Sequence, residues 1–480
     1  MALGDEFAHD ICKRALLCSL DDPEAIVYRQ HIVRDCLEAP SVVRAIYNFT
    51  AEAIYEEKRH FFGIYRKSPD AILYRSVQVM EMFMQKLMSL RQICDEHSAD
   101  FRSDGFVTLF AMLTKELDDE YFQTVENHLR KLRFQHGALS SARLGAGNHG
   151  TGYVLHEPRR EGWRERLLFA DRSSYSFQIA ERDESGARAL SELRGLGINL
   201  VANAVAQSTD HILSFFNMLH SELGFYVGCL NLYEQLAEQG EPTCFPEPMP
   251  LGEPVLSCEG LCDASLSLTL RARVVGNDVS ADGKSLVMIT GANQGGKSTF
   301  LRSVGAAQLM MQCGMFVTAK SFRADVRDGV FTHFKREEDV TMKSGKLDEE
   351  LSRMSAIVDA VGSNGVVLCN ESFASTNERE GSEIARQIIS AFLEAGIKVL
   401  FVTHMFDLAQ GCYARELDTA FFLRAERQPD GRRTFRVVEG EPLPTSYGED
   451  LYRRIFGSLP GSSSEPEPTT SAAGHTSSHR

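Results

Sequence analysis

The sequence contains no uninterrupted apolar run of the roughly 18 residues that a membrane-spanning helix needs. The stretch from Met1 to Leu20 is broken by Asp5, Glu6, Asp10, Lys13 and Arg14, which makes it a poor secretory leader. The chain therefore reads as an intracellular, cytoplasmic protein with no membrane partner. Metal-type cysteine spacing is also missing. Eleven cysteines are scattered, and the closest pair, Cys258 and Cys262, is one residue too long for a CxxC and has no matching second pair. Free thiols in a reducing compartment follow from that pattern. Positive charge is short as well: the net charge of −15 speaks against coating nucleic acid through bulk electrostatics, although it leaves room for a local site. Helical segments are short and lack sustained heptads, which argues against a long coiled coil.

What is present suits a chain of two or three globular domains: 480 residues, 43% hydrophobic and 24% charged. The first half reads as helical. Leu73, Val77, Met80, Met84 and Leu87 recur at spacings of four and three, on one helix face, with Arg75, Glu81, Gln85 and Lys86 off that stripe. Core filling is the reading taken for this Met-rich face, in preference to a promiscuous binding surface. Between Gly137 and Gly162 the pattern breaks into Gly, Ser and Arg, with Trp163 just after, and periodicity returns near Ala187. A second helical limb then runs from Leu193 to Ala237 through Phe215, Phe216, Leu219, Leu223, Val227 and Leu230. From His128 to Arg194 there are twelve Arg or Lys against eight Asp or Glu, so this part is locally basic inside an acidic protein. A solvated Arg-rich loop would look the same.

Pro242, Pro246, Pro248 and Pro250 cannot continue a helix and mark a linker. Beyond it the pattern becomes α/β. Leu286 to Thr290, Gly365 to Cys369 and Lys398 to Thr403 are short apolar runs without alternation, as expected of strands buried on both faces of a parallel sheet. The stretch from Leu459 to Arg480 is poor in apolar residues and reads as a disordered tail.

The most specific motif is Gly291-Ala292-Asn293-Gln294-Gly295-Gly296-Lys297-Ser298, a complete GxxxxGK[ST] after a strand and ahead of a helical run from Thr299 to Met311. Glycines let such a loop turn tightly enough for backbone N–H groups to converge on phosphate, while the helix presents its positive end to the same charge. Lys297 is expected to contact the β- and γ-phosphates of ATP, and the Ser298 hydroxyl to ligate Mg²⁺, with Thr299 completing the binding segment. Downstream, the strand ending in Asn370-Glu371 supplies polar groups at the same sheet edge. Glu371 is expected to polarise the attacking water. Asn370 stands where such sites carry Asp; its amide oxygen can accept from a Mg²⁺-bound water but adds no charge. His404, at the end of Val402-Thr403-His404, is placed to sense the γ-phosphate or hold the lytic water.

At these residues the chain resembles the MutS family of ATPases. Ile289 to Arg302 is similar to that family's TGPNMGGKSTYLRQ block, Asn277-Asp278 lies upstream, Phe401 to His404 is close to its FATH, and Ser446-Tyr447-Gly448 matches its SYG element. Asp22-Pro23 and Tyr28-Arg29-Gln30 look like the start of the family's helical core domain. The likeness spans about Asp22 to Gly457. Three departures stand out. The family's DE-x-GRGTST is here Asn370-Glu371-Ser372-Phe373-Ala374-Ser375-Thr376. Its signature, which reaches a partner's nucleotide in family dimers, is represented only by Ser344-Gly345-Lys346, with Leu347 and Asp348 where Ser and Thr are expected. No sequence resembles the amino-terminal mismatch-reading and connector domains; the lone Phe245-Pro246-Glu247 sits in the Pro-rich linker.

The expected architecture is multidomain: an all-α core or lever domain with a small insertion, followed by an α/β P-loop ATPase domain of the ABC type. Boundaries fall at 1–136 and 187–240 for the helical parts, 137–186 for a clamp-like insertion, 241–250 for the linker, 251–458 for the ATPase domain and 459–480 for the tail. The resemblance implies ATP and Mg²⁺ as cofactors, a homodimer or heterodimer, and DNA as partner, with Arg159, Arg160, Arg164 and Arg166 as candidate contacts. Branched or bent DNA is favoured over mismatched duplex. The rival expectation is a nucleotide-gated scaffold for a protein partner, with weak or vestigial hydrolysis.

Overall fold

The computed structural model describes residues 1, 5–60, 68–134, 137–157, 175–252, 254–335 and 345–444. The chain divides into two units, Met1–Pro248 together with Leu309–Val317, and Met249–Gln308 together with Thr318 onward. No helix among the described residues is long and apolar enough to cross a membrane.

The first unit is helical: α1 (Glu6–Leu17), α2 (Pro23–Glu38), α3 (Pro40–His60), α4 (Pro69–His97), α5 (Asp104–Glu116), α6 (Asp119–Leu132) and α7 (Glu184–Glu238). Their starts follow from local chemistry. Asp22 accepts from the Glu24 and Ala25 N–H groups ahead of Pro23, and Ser68 accepts from Ala71 ahead of Pro69, each pairing a side-chain cap with a proline whose missing N–H is not needed there. The stripe Leu73, Val77, Met80, Met84 and Leu87 is buried, and Val79, Phe83 and Leu90 widen it, so α4 is a core helix. It packs along α7, as does α3. Helix α7 runs 55 residues, against the expectation of short helical segments; it is capped by Asp183, and its C-terminal half is enclosed from Leu223 to Leu232. It begins slightly before Ala187, where the periodicity becomes legible, because the cap and first turn carry no apolar stripe. Ahead of it, β1 (Leu139–Leu144) and β2 (Gly150–His156) form an antiparallel hairpin. Arg159, Arg160, Arg164 and Arg166 lie outside the described residues, as do Ser446-Tyr447-Gly448 and 459–480. Within the Pro-rich stretch, Glu247–Met249 forms the short strand β3.

The second unit is α/β. Its strands are β4 (Leu256–Leu261), β5 (Asn277–Ser280), β6 (Leu286–Gly291), β7 (Ser321–Asp325), β8 (Val330–Phe334), β9 (Val366–Asn370), β10 (Lys398–Val402), β11 (Ala420–Arg427) and β12 (Arg433–Glu439). Its helices are α8 (Ala264–Leu270), α9 (Lys297–Gln312, whose last turn belongs to the first unit), α10 (Lys346–Ala360), α11 (Glu378–Glu394) and α12 (Phe406–Tyr413). The main sheet has the order β12-β11-β6-β10-β9-β8, parallel except for β12. Strands β6, β9 and β10 are the three apolar runs read from the sequence, each within a residue of its expected ends, and their interiors are buried. One face packs on α11 and α12 through Met288, Phe373, Ile389, Phe392, Phe401 and Leu408. Register places Ile289, Val402 and Asn370 side by side, so β6, β10 and β9 end together at one edge.

A smaller four-stranded sheet, β3-β7-β4-β5, antiparallel where β4 meets β5 and β7, was not legible in the sequence. Its strands alternate or are interrupted by exposed positions, as in the BeBe pattern of β5, and give no continuous apolar run. Beneath it, Lys398 Nζ donates to Val255 O at 2.9 Å and lies 3.5 Å from Asp325 Oδ1, while Asp325 also pairs with Arg327. All eleven cysteines are free thiols, and burial pushes the Cys258 thiol up to about 12.

Candidate functional site

The edge where β6, β9 and β10 end gathers the polar residues of the second unit. The loop after β6 is built on three left-handed positions, Gly291 (φ 103°), Gln294 (φ 57°) and Gly296 (φ 96°). At Gly296 a side chain is excluded twice over. The left-handed backbone disfavours it, and a Cβ there would lie 2.9 Å from Phe435 O. Ala292 is buried and its carbonyl accepts from Gly295 N at 3.2 Å, which tightens the loop; Asn293 and Gln294 are exposed at its tip. Arg433 Nε on β12 donates to Asn293 O at 3.4 Å.

Lys297 opens α9 and is buried. Its ammonium donates to Gly291 O at 2.8 Å and Ala292 O at 3.1 Å, and approaches Asn293 Oδ1 at 3.5 Å. Burial pulls its pKa down, opposed by the Glu371 carboxylate and assisted by the Arg433 charge. Ser298, next on the helix, donates through Oγ to Asn370 Oδ1 at 2.7 Å, so α9 and β9 meet at this edge.

Glu371 leaves β9 in a left-handed conformation, φ 53°, with its N–H donating to Val402 O at 2.9 Å. Its Oε1 lies 3.7 Å from His404 Nδ1, beyond direct hydrogen-bond range. The adjacent imidazole is the main influence holding the Glu371 carboxyl below its usual range. Partial burial raises it, and the Lys297 and Lys335 charges lower it further. His404 is half-exposed and shares a recess with Thr290, Gly291 and Thr403. It stands just ahead of α12, whose first amides, Phe406 N and Asp407 N, donate to Glu378 Oε1 at 2.7 and 3.4 Å. Glu378 thus anchors the turn that carries His404, a role that no sequence motif marks.

The structure therefore brings together Lys297, Ser298, Asn370, Glu371 and His404. Gly345 stands apart from this list as the residue capping α10 at φ −64°, and Ser344 lies outside the described residues. Asn277 and Asp278 do structural work: Asn277 Oδ1 accepts from Val437 N at 2.7 Å and Asp278 Oδ1 from Gly260 N at 2.6 Å, joining β5 to β12 and β4. Beside the loop, Gly296 and Thr299 line a cavity of about 320 Å³ with Leu266, Leu270, Arg273 and Phe435. That cavity had no sequence signal, because its lining comes from three separate stretches of chain.

Family models match most of the chain in two segments: the MutS2 N-terminal domain over residues 21–239 and MutS domain V over residues 287–455. The DNA mismatch repair protein MutS of Thermotoga maritima is 36% identical over 179 residues, 37% of this chain and 22% of that protein. Endonuclease MutS2 of Lacticaseibacillus paracasei is 31% identical over 217 residues, 44% of this chain and 27% of that protein. Endonuclease MutS2 of Thermus thermophilus is 29% identical over 182 residues, 38% and 24% respectively. The chain thus matches about a quarter of the length of these relatives, and the matched segments carry both the helical unit and the strand-end site, so the chain belongs to the MutS family.

Proposed function

We propose that the strand-end site binds and hydrolyses ATP, and that the protein is a MutS-like, DNA-associated ATPase. The observation that carries this reading is the convergence of a GxxxxGK[ST] loop, the Ser298–Asn370 hydrogen bond of 2.7 Å and the Glu371–His404 pair at one sheet edge. Backbone N–H groups of the loop and the start of α9 would receive the phosphates. Lys297, now held by loop carbonyls, would exchange them for phosphate oxygens, a stronger charge-assisted contact. The cavity beside Gly296 and Thr299 would seat the base of the nucleotide.

The oxygen donors fit Mg²⁺: Ser298 Oγ is a hard ligand and Asn370 Oδ1 beside it can accept from a bound water. When bound, Mg²⁺ would neutralise phosphate charge. Glu371, ionised because its carboxyl is held low, would orient the attacking water and take its proton. His404 would hold that water or sense the γ-phosphate. Gly345, with Ser344, would face the nucleotide of a second copy, making the working form a dimer. The Arg159, Arg160, Arg164 and Arg166 cluster would meet the DNA backbone, which carries no sequence information and leaves selection to DNA shape.

The uncharged Asn370 favours a second reading, a nucleotide-gated scaffold for a protein partner with slow hydrolysis. ATPase rates with and without duplex, branched and single-stranded DNA separate the two. Stimulation by a branched DNA supports the first reading; a rate indifferent to every DNA supports the second.

A further inference from the structure

The turn after β9 places two non-glycine residues in the left-handed region, Glu371 at φ 53° and Phe373 at φ 63°, on either side of Ser372. Side chains disfavour that backbone, so it persists only where the surroundings hold it. In the DE-x-GRGTST motif that this stretch resembles, the position of Phe373 is a glycine, which adopts such angles freely. This chain must obtain the same turn by other means.

The means lie on β8. His333 is fully buried, in line with Cys369 on β9, and its ring stacks on Phe373 with centroids 5.5 Å apart and planes 22° from parallel. Its Nδ1 is 2.6 Å from Ser372 Oγ, and its own carbonyl lies 3.0 Å from the same hydroxyl. Its Nε2 is 3.0 Å from Glu350 O on α10. A carbonyl only accepts, so Nε2 carries a proton and donates to Glu350 O; Nδ1 is then an acceptor, and the single Ser372 hydroxyl proton goes either to it or to the His333 carbonyl, both within hydrogen-bond reach. Ser372 and Phe373 are themselves fully buried. One imidazole therefore joins the helix that follows Gly345 to the residues on the C-terminal side of Glu371.

We infer that His333 is a positioning residue for Glu371, fixing through Ser372 and Phe373 the strained turn that aims the Glu371 carboxylate at the strand-end site. The inference rests on Glu371 acting as the base in nucleotide hydrolysis. It follows that losing His333 impairs turnover more than nucleotide binding, since its hydrogen bonds and ring stacking run to Ser372, Glu350 and Phe373, whereas Lys297 is held by Gly291 O and Ala292 O.

The test uses the full chain with His333→Leu and, separately, Ser372→Ala, which removes one hydroxyl without opening a large cavity. Steady-state ATP hydrolysis gives kcat and KM, and amide hydrogen exchange is followed over Asn370 to Thr376, with β6 and β10 as controls. Both variants are expected to lower kcat on the order of 10-fold to 100-fold with KM little changed, the scale of a slightly misplaced catalytic group. Exchange should quicken at Glu371 and its neighbours while β6 and β10 stay protected. Unchanged kcat and unchanged local exchange overturn the inference, as does a uniform loss of protection with normal turnover per folded molecule, which marks a purely structural histidine. Glu371→Gln is measured alongside. If it turns over ATP like the parent protein, or if the parent has no turnover, the base assignment fails and the exchange result alone decides whether His333 sets the turn.

Discussion

Lys297 shows how one side chain can be read from both sequence and structure. The motif assigned it to phosphate, and the structure shows a buried ammonium held by the carbonyls of its own loop. Lys297→Ala should leave the fold intact and weaken ATP binding roughly 10- to 100-fold, the value of a charge-assisted contact; a fluorescent-nucleotide titration checks this, and undiminished binding removes the phosphate role. Asn370 makes the opposite case, a departure from the motif whose consequence can be measured. Asn370→Asp adds a carboxylate next to Ser298 and should shift the Mg²⁺ requirement for hydrolysis to lower concentration. An unchanged Mg²⁺ titration would mean that Asn370 does not face the metal. His333 was passed over in the sequence because a single histidine inside Val330–Phe334 reads as an ordinary strand residue; its role depends on partners 17 and 39 residues away.

At the scale of elements, the parallel strands were legible because burial on both faces leaves an unbroken apolar run, and Leu286–Gly291, Val366–Asn370 and Lys398–Val402 all show it. The smaller sheet was not, because β4 and β5 expose part of their length and depend on polar stitches such as Asn277 to Val437 N. The site was legible where a contiguous motif carries it and illegible where separate segments converge, as in the cavity lined by Leu270, Arg273 and Phe435. Lys398 gives the lower end of β10 its own pH signature. Burial drives its pKa from the ordinary 10.5 to about 8, with Asp325 opposing. Between those values the unfolded chain holds a proton that the folded chain lacks, so stability should rise with pH across that window, by at most about 1.4 kcal/mol per pH unit. Denaturant unfolding from neutral to alkaline pH should show this slope in the parent protein, and Lys398→Met should flatten it. Equal slopes would place the neutral lysine elsewhere.

For the whole molecule, the MutS-family models span both the helical unit and the α/β unit, and DNA is the proposed partner. An acidic chain with a locally basic segment should bind DNA weakly and with a steep salt dependence, and should prefer a four-way junction to straight duplex. One mismatch should add little. Changing Arg159, Arg160, Arg164 and Arg166 to alanine should abolish the salt-sensitive part of binding to every DNA; a clear mismatch preference, or binding that survives the four substitutions, contradicts this picture. All of it depends on the strand-end site being an ATPase. The most direct measurement is single-turnover ATP hydrolysis by the parent protein and by Glu371→Gln, with nucleotide binding recorded for both. Both are expected to bind ATP, and the variant to cleave it at least about 10²-fold more slowly, the usual cost of losing a general base. Equal cleavage rates, or no nucleotide binding by the parent protein, would contradict it.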